Sequence, residues 1–189
     1  MKSPKQLVSA KLMEEGVNYI KKSPLENFPN LLNWAEKIII KQQHREIVNT
    51  VKKAWEDPSN NWHIYMEKIL TELHPQMLKK FMVNFFVNSS IIGIPLTEKL
   101  RKIHHCNIPW AILMDPTASC NLSCVGCWAE KYNAHDSLSV ETMDRIIQEG
   151  KELGIYMYLY SGGEPLLRKH DLIKLAEKHD DCMFMAFTN

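Results

Sequence analysis

Residues 110–127 read Trp110-Ala-Ile-Leu-Met-Asp-Pro-Thr-Ala-Ser-Cys-Asn-Leu-Ser-Cys-Val-Gly-Cys127. The stretch begins with a short continuous apolar run, which is typical of a β-strand buried on both faces of a sheet. The loop that follows carries Cys120, Cys124 and Cys127. In parallel α/β folds the chemistry lies in loops beyond the carboxyl ends of the strands. We therefore expect this cysteine loop to be part of a functional site.

The sequence after this loop alternates between helix and strand patterns. Apolar residues recur at helical spacing over 140–153 and again over 172–176, which predicts two helices. Gly154 is placed to end the first of them. Residues 155–160 and 183–188 are rich in aromatic and other apolar residues and predict two further strands. The order strand, helix, strand, helix, strand indicates a parallel sheet with right-handed crossovers.

The first 108 residues show helical periodicity instead. Apolar residues recur three or four positions apart, and prolines, including Pro24 and Pro29, are expected to separate the helices. Helices are predicted at 4–20, 31–39, 44–56, 61–73 and 76–90, with a short one after Pro95. We therefore predict a helical N-terminal domain at 1–108, to which no motif assigns a role, and a second domain at 109–189.

Composition limits the class of protein. Hydrophobic residues make up 45% of the chain and charged residues 24%, which is typical of a soluble globular protein. The net charge is +1, and the slight excess of Lys and Arg in 1–108 is too weak to predict nucleic-acid binding. The sequence has neither a run of about eighteen apolar residues nor the apolar core of a signal peptide, so we predict no transmembrane segment and a cytoplasmic protein.

The spacing of the cysteines indicates metal chemistry. Three of the five cysteines fall within eight residues, a pattern that favours a metal site over a disulfide framework. Three thiolates at this spacing can converge on the iron corners of an iron–sulfur cluster. A structural zinc ion is the alternative, but zinc requires a fourth ligand. The candidates for that ligand are Cys106, His104, His105 and His135.

The motif Cys-x3-Cys-x2-Cys after a first strand resembles the signature of the radical S-adenosylmethionine (SAM) superfamily. The resemblance implies that Cys120, Cys124 and Cys127 hold three irons of a [4Fe–4S] cluster and that SAM binds the fourth iron. It also implies reductive cleavage of SAM to a 5′-deoxyadenosyl radical, which abstracts hydrogen from a substrate. The electron would come from a donor such as flavodoxin or ferredoxin. The substrate, whether a peptide, a lipid or a small metabolite, is not predicted.

A second motif, Ser161-Gly-Gly-Glu-Pro165, follows the second predicted strand. A double glycine after a strand is by itself most often a tight turn. About 35 residues after the third cysteine, however, it resembles the Gly-Gly-Glu motif of the same superfamily. The resemblance implies that Gly162, Gly163 and Glu164 bind the amino group of SAM. The family usually has an aromatic residue just before the third cysteine; this chain has Gly126 there, and Trp128 either takes that adenine contact or is a packing residue.

The resemblance implies an α/β fold in which an N-terminal helical bundle precedes the first βαβαβ part of a partial (β/α)6, TIM-like barrel. Because only three strands are predicted and the later family motifs are missing, we expect a truncated chain that is itself inactive. The alternative function is a non-catalytic module that binds zinc or a cluster. Cys182 is predicted to be a core residue, and Asp115, near the end of the first strand, has no predicted role.

Overall fold

The computed structural model describes residues 4–38, 42–129 and 136–189. The chain divides into two compact units, Met1–Val83 and Asn84–Asn189. The domain boundary predicted from the sequence, between residues 108 and 109, stays a prediction. Within the described residues, no helix is both long enough and apolar enough to cross a membrane.

The first unit contains helices in the order that the sequence patterns predict. They are α1 (Pro4–Lys22), α2 (Pro24–Ile38), α3 (Gln42–Glu56), α4 (Asn61–Glu72) and α5 (Pro75–Met82). Their apolar faces enclose one core, which contains the buried residues Val17, Ile20, Phe28, Leu70 and Leu78. The Lys21 ammonium donates to the carbonyl oxygens of Leu70 and Leu73 at the end of α4, where helix carbonyls lack partners.

The expectation that Pro29 separates two helices is wrong, because it lies inside α2. Proline removes one backbone donor from a helix, so this position weakens α2. The neighbouring Phe28 is buried and packs edge-to-face on Trp55 of α3 with ring centroids 4.7 Å apart. Burial of Phe28 stabilises α2 beside this proline.

The second unit combines helices with a small sheet. A π-helix, Val83–Gly93, leads into α6 (Ile94–His104) and strand β1 (Ala111–Met114). Helix α7 (Val140–Glu152), strand β2 (Met157–Tyr160), a 3₁₀ helix (Pro165–Arg168), helix α8 (Lys169–Lys178) and strand β3 (Met183–Ala186) follow. The Ser139 hydroxyl accepts from the Thr142 N–H and so caps the start of α7, while Gly154, at φ +86°, follows its end as predicted.

The three strands form one parallel sheet in the order β1-β2-β3. Residues in register include Met114, Tyr160 and Ala186, so the carboxyl ends of the strands share one edge. The predicted α/β architecture with a parallel sheet is thereby confirmed, whereas the number of strands in a barrel stays a prediction.

One face of the sheet is covered and the other is not. Tyr158 is fully buried and clusters with Met143 and Ile147 of α7, and its hydroxyl donates to the Ile147 carbonyl. On the opposite face Leu113 is 55% exposed and Met185 47% exposed. The expectation that the first strand is buried on both faces is therefore wrong, because α7 and α8 pack on one face only.

The π-helix is tied to the loop before β3 by amide side chains. Asn84 donates to the carbonyl oxygens of Asp180 and Cys182, and Asn88 donates to that of Asp181. The sequence pattern predicted an α-helix over 76–90, and the change to π-helical winding at Val83 is not visible in that pattern. Cys182 is buried as predicted. The pKa of its thiol is raised, mainly because burial removes the thiol from water.

Candidate cluster and cofactor site

Two loops meet at the carboxyl edge of the sheet. The turn after β2 bonds through its backbone to the segment that leads into the cysteine loop. The N–H groups of Ser161, Gly163 and Glu164 donate to the carbonyl oxygens of Met114, Thr117 and Ser119, at 2.9, 3.0 and 2.9 Å. The two motifs found in the sequence are therefore held side by side.

The two glycines of the turn permit this close approach. Gly162 has a φ of +99°, and a side chain there would place its Cβ 2.6 Å from the Thr117 carbonyl oxygen. A Cβ on Gly163 would lie 2.1 Å from the Ser119 carbonyl oxygen, far inside van der Waals contact. These positions therefore require glycine for contact between the loops, and their contact with SAM stays a prediction.

The Glu164 carboxylate lies at the centre of a hydrogen-bond network. Its side chain is only 5% exposed. Oε1 accepts from the Leu166 N–H and the Thr188 hydroxyl, both at 2.8 Å. Oε2 accepts from the backbone N–H of Asn189 at 3.1 Å and from its side-chain amide at 2.7 Å. Burial alone would raise the pKa of Glu164, but the hydrogen bonds from Asn189, Leu166 and Thr188 outweigh it and lower that pKa.

The Asn189 side chain also reaches the cysteine loop. Its Nδ2 donates to Asn121 Oδ1 at 3.1 Å as well as to Glu164. Sequence reasoning missed Asn121, Thr188 and Asn189 as site residues. Asn121 and Asn189 follow the first and third predicted strands, whose carboxyl ends share one edge of a parallel sheet, but this position alone does not distinguish them from other polar loop residues.

The cysteine loop itself is open to solvent. Cys120 and Cys124 are exposed and Cys127 is partly buried. The Cys127 N–H donates to the Cys124 carbonyl at 3.2 Å, and the Leu122 N–H lies 3.4 Å from Cys120 Sγ. Gly126 adopts a φ of +75°, and a Cβ at this position would meet no atom of the described residues within 4 Å apart from its chain neighbours, so the glycine is explained by its backbone conformation and not by a close contact.

The donor set of this loop fits an iron–sulfur cluster in its chemistry. It offers three accessible thiols and a backbone N–H directed at one sulfur, the kind of hydrogen bond that tunes cluster potentials. In the described part of the chain, no three His, Cys, Asp or Glu side chains are grouped closely enough to hold one metal ion.

The other sequence-predicted residues come from different segments of the chain, since Trp128 follows the cysteine loop whereas His104, His105 and Cys106 precede β1. Trp128 is 59% exposed directly after Cys127, and its predicted role beside the adenine stays a prediction. His104 ends α6, and His105 caps it in a left-handed conformation with φ 52°. Exposed Cys106 follows, and His135 lies outside the described residues.

A cavity of about 410 Å³ lies beside the same edge, lined by Asp115, Ala118, Asp136, Ser137 and Leu138. Oδ1 of Asp115 is buried and accepts no hydrogen bond from the described residues. Burial removes this carboxyl group from water and so raises the pKa of Asp115. The buried oxygen would be stabilised by a hydrogen-bond donor from a ligand or by protonation of the carboxyl group.

Comparison with known proteins agrees with this geometry. Residues 114–188 match the family model of the radical SAM superfamily. The match begins at the last residue of β1 and includes the cysteine loop, the glycine turn and β3. The resemblance predicted from the two motifs is thereby confirmed for residues 114–188, which are less than half of the chain.

A relative from a bacterium is similar over the same length of chain. The PqqA peptide cyclase of Bradyrhizobium diazoefficiens is 33% identical over 76 residues, which are 39% of this chain and 20% of the relative. The chain thus spans about a fifth of the length of this curated relative. No solved structure gives a significant match.

Proposed function

We propose that the chain contains the first half of a radical SAM core at 109–189, preceded by a helical domain at 1–108. Cys120, Cys124 and Cys127 would hold a [4Fe–4S] cluster, and Gly162, Gly163, Glu164 and Trp128 would contact SAM. When bound, the reduced cluster would supply one electron for the cleavage of SAM to methionine and a 5′-deoxyadenosyl radical, which would abstract hydrogen from the substrate. A flavodoxin or a ferredoxin would supply the electron to the cluster.

The observation that carries this proposal is the backbone contact between the two motif loops. Three hydrogen bonds hold the Gly-Gly-Glu turn against the segment entering the cysteine loop. The Asn189 side chain also contacts both Glu164 and Asn121 of the cysteine loop, and we propose that one ligand spans the loop and the carboxylate. The low pKa of Glu164 keeps this carboxylate ionised near neutral pH, as an acceptor for an ammonium group.

We propose a peptide as the substrate, in preference to a lipid or a small metabolite. The relative that matches 39% of the chain is named for cyclising the PqqA peptide. Calorimetric titration of candidate peptides into the loaded chain, with and without SAM, tests this proposal without requiring turnover. Peptide binding that strengthens when SAM is present would support it, and the absence of peptide binding under both conditions would contradict it.

Anaerobic reconstitution with iron and sulfide tests the cluster. We expect near four irons and four sulfides per chain, and an electron paramagnetic resonance (EPR) signal of the reduced cluster that changes when SAM is added. Cys124→Ala should remove the cluster, whereas Cys106→Ala, an exposed cysteine outside the loop, should keep it. One zinc without sulfide would refute the proposal and support the structural metal module instead.

A further inference from the structure

The Asn189 amide nitrogen lies between two acceptors from different loops. It donates one hydrogen to Glu164 Oε2 at 2.7 Å and the other to Asn121 Oδ1 at 3.1 Å. A single nitrogen with at least two hydrogens is the group that this pair of oxygens selects. A primary ammonium has the same requirement, and it adds a positive charge next to the carboxylate.

The Glu164 carboxylate has no acceptor position left for another donor. It accepts four hydrogen bonds, which is about the number that its two oxygens can take. Two of the donors are backbone N–H groups, and the third is the hydroxyl of Thr188. An incoming ammonium must therefore replace one of these donors.

Two of the four donors, the Asn189 carboxamide and the Thr188 hydroxyl, can be released by rotation of a side chain, whereas release of a backbone N–H would require the backbone to move. Of these two, only the Asn189 carboxamide also contacts Asn121, so its departure frees both acceptors together. Neutral amide donors also bind a carboxylate more weakly than an ammonium does. The exchange is therefore favourable when a ligand carries an ammonium group to this point.

We propose that Asn121 and Glu164 form the acceptor pair for the amino group of the bound ligand, and that the Asn189 carboxamide occupies this position until the ligand displaces it. The inference rests on the proposed function in taking SAM as the ligand. It adds Asn121, a residue of the cysteine loop, to the binding site. It also assigns Asn189 the role of a competitor.

Binding of SAM and of an analogue that lacks the amino group tests the pair. Each is titrated anaerobically into the reconstituted chain by calorimetry, after the cluster content of every variant has been measured. Asn121→Ala should weaken SAM binding about tenfold and change analogue binding less than twofold. Ser123→Ala, in the same loop, is the matched control and should change neither affinity.

Asn189→Ala distinguishes competition from positioning. Removal of the competing carboxamide should strengthen SAM binding several-fold, because the ligand no longer has to displace it. Weaker binding would overturn the displacement and make Asn189 a residue that only orients Glu164. Equal losses for SAM and the analogue in Asn121→Ala would overturn the acceptor pair.

A cluster-free measurement separates this inference from the proposed function. In chain labelled with ¹⁵N-asparagine, the side-chain amide signals of Asn189 are those that disappear in Asn189→Ala. SAM should shift these signals in the wild-type chain and much less in Asn121→Ala. If the signals shift but the reduced cluster ignores SAM, the acceptor pair stands and the radical chemistry does not. If the cluster responds to SAM, but SAM does not shift the Asn189 amide signals and both variants bind SAM with the wild-type affinity, the acceptor pair is wrong.

Discussion

Replacement of Glu164 by glutamine changes one carboxylate oxygen into an NH₂ group and leaves the shape of the side chain unchanged. The remaining oxygen can keep the bonds from Leu166 and Thr188, so the NH₂ group would face the two donors of Asn189. The Asn189 carboxamide can flip and present its oxygen, but it then loses its bond to Asn121. The Asn189 backbone N–H has no such adjustment and would be left unpaired.

The magnitude follows from these bonds. A hydrogen bond to a charged group contributes about 1.5–3 kcal/mol, and a donor left without a partner costs a comparable amount. We therefore expect Glu164→Gln to lower the free energy of unfolding of the second unit by about 2 kcal/mol. For a unit of this size, that corresponds to a decrease in Tm of roughly 10 °C.

The assay is thermal unfolding of the chain without cluster, followed by circular dichroism. Glu177→Gln is the matched control, since that carboxylate is exposed on α8, and it should leave Tm unchanged. A Glu164→Gln variant with the wild-type Tm at pH 7 would refute the network as a source of stability. In the loaded chain the same variant should keep its cluster and bind SAM more weakly.

The effect should also depend on pH with a defined sign. Because the pKa of Glu164 is lower in the folded than in the unfolded chain, its carboxylate stabilises the fold at pH values above its ordinary pKa of 4.5. This contribution is lost as the pH falls through the folded-state pKa. The difference in Tm between wild type and Glu164→Gln should therefore be full at pH 7 and shrink towards pH 3.

Four further substitutions probe the same unit, each by urea denaturation. Gly163→Ala should lower the free energy of unfolding of this unit by about 3 kcal/mol or prevent the turn from forming, because the new Cβ would clash with the Ser119 carbonyl oxygen. A free energy of unfolding within about 1 kcal/mol of the wild-type value would contradict the close approach of the two loops. Asp115→Asn should stabilise the second unit by about 1 kcal/mol at pH 7. Because burial raises the pKa of Asp115, ionisation of its carboxyl lowers the free energy of unfolding as the pH rises. The stabilisation should therefore disappear at low pH, and a stabilisation that does not depend on pH would contradict this explanation. Tyr158→Phe should lower the free energy of unfolding by about 1 kcal/mol, because the hydroxyl of Tyr158 is hydrogen-bonded to backbone carbonyl groups. Tyr160→Phe should leave the free energy of unfolding unchanged, because the buried Tyr160 hydroxyl has no hydrogen-bond partner among the described residues. Equal effects of the two substitutions would contradict the contribution of the Tyr158 hydrogen bonds.

The order of elements in the second unit could be predicted from the sequence because the signals are local. Apolar runs at 110–114 and 155–160 and the helical spacing over 140–153 report on short segments, and the structure has strands and a helix there. The exposure of Leu113 could not be predicted in this way. A continuous apolar run predicts that both faces of a strand are buried, whereas actual burial depends on which elements pack on the sheet.

The residues of the site also differ in whether a local sequence signal could predict them. Its cysteines and its Gly-Gly-Glu turn carry motifs of fixed spacing, so single residues could be named in advance. The contacts of Asn189 with Glu164 and Asn121 join residues 25 and 68 positions apart. Neither asparagine has a local pattern that distinguishes it from an ordinary surface residue, so only the packed structure brings the three together.

The glycine turn has a consequence for how this site can change in evolution. Gly163 lies against carbonyl oxygens of Ala118 and Ser119, and not against their side chains. Every amino acid supplies such an oxygen, so the constraint falls on one partner alone. The glycine should be intolerant of replacement, while position 118 should accept varied residues without a compensating change in the turn. The entrance to the cysteine loop can therefore diversify towards new substrates while the contact that aligns the two motifs persists.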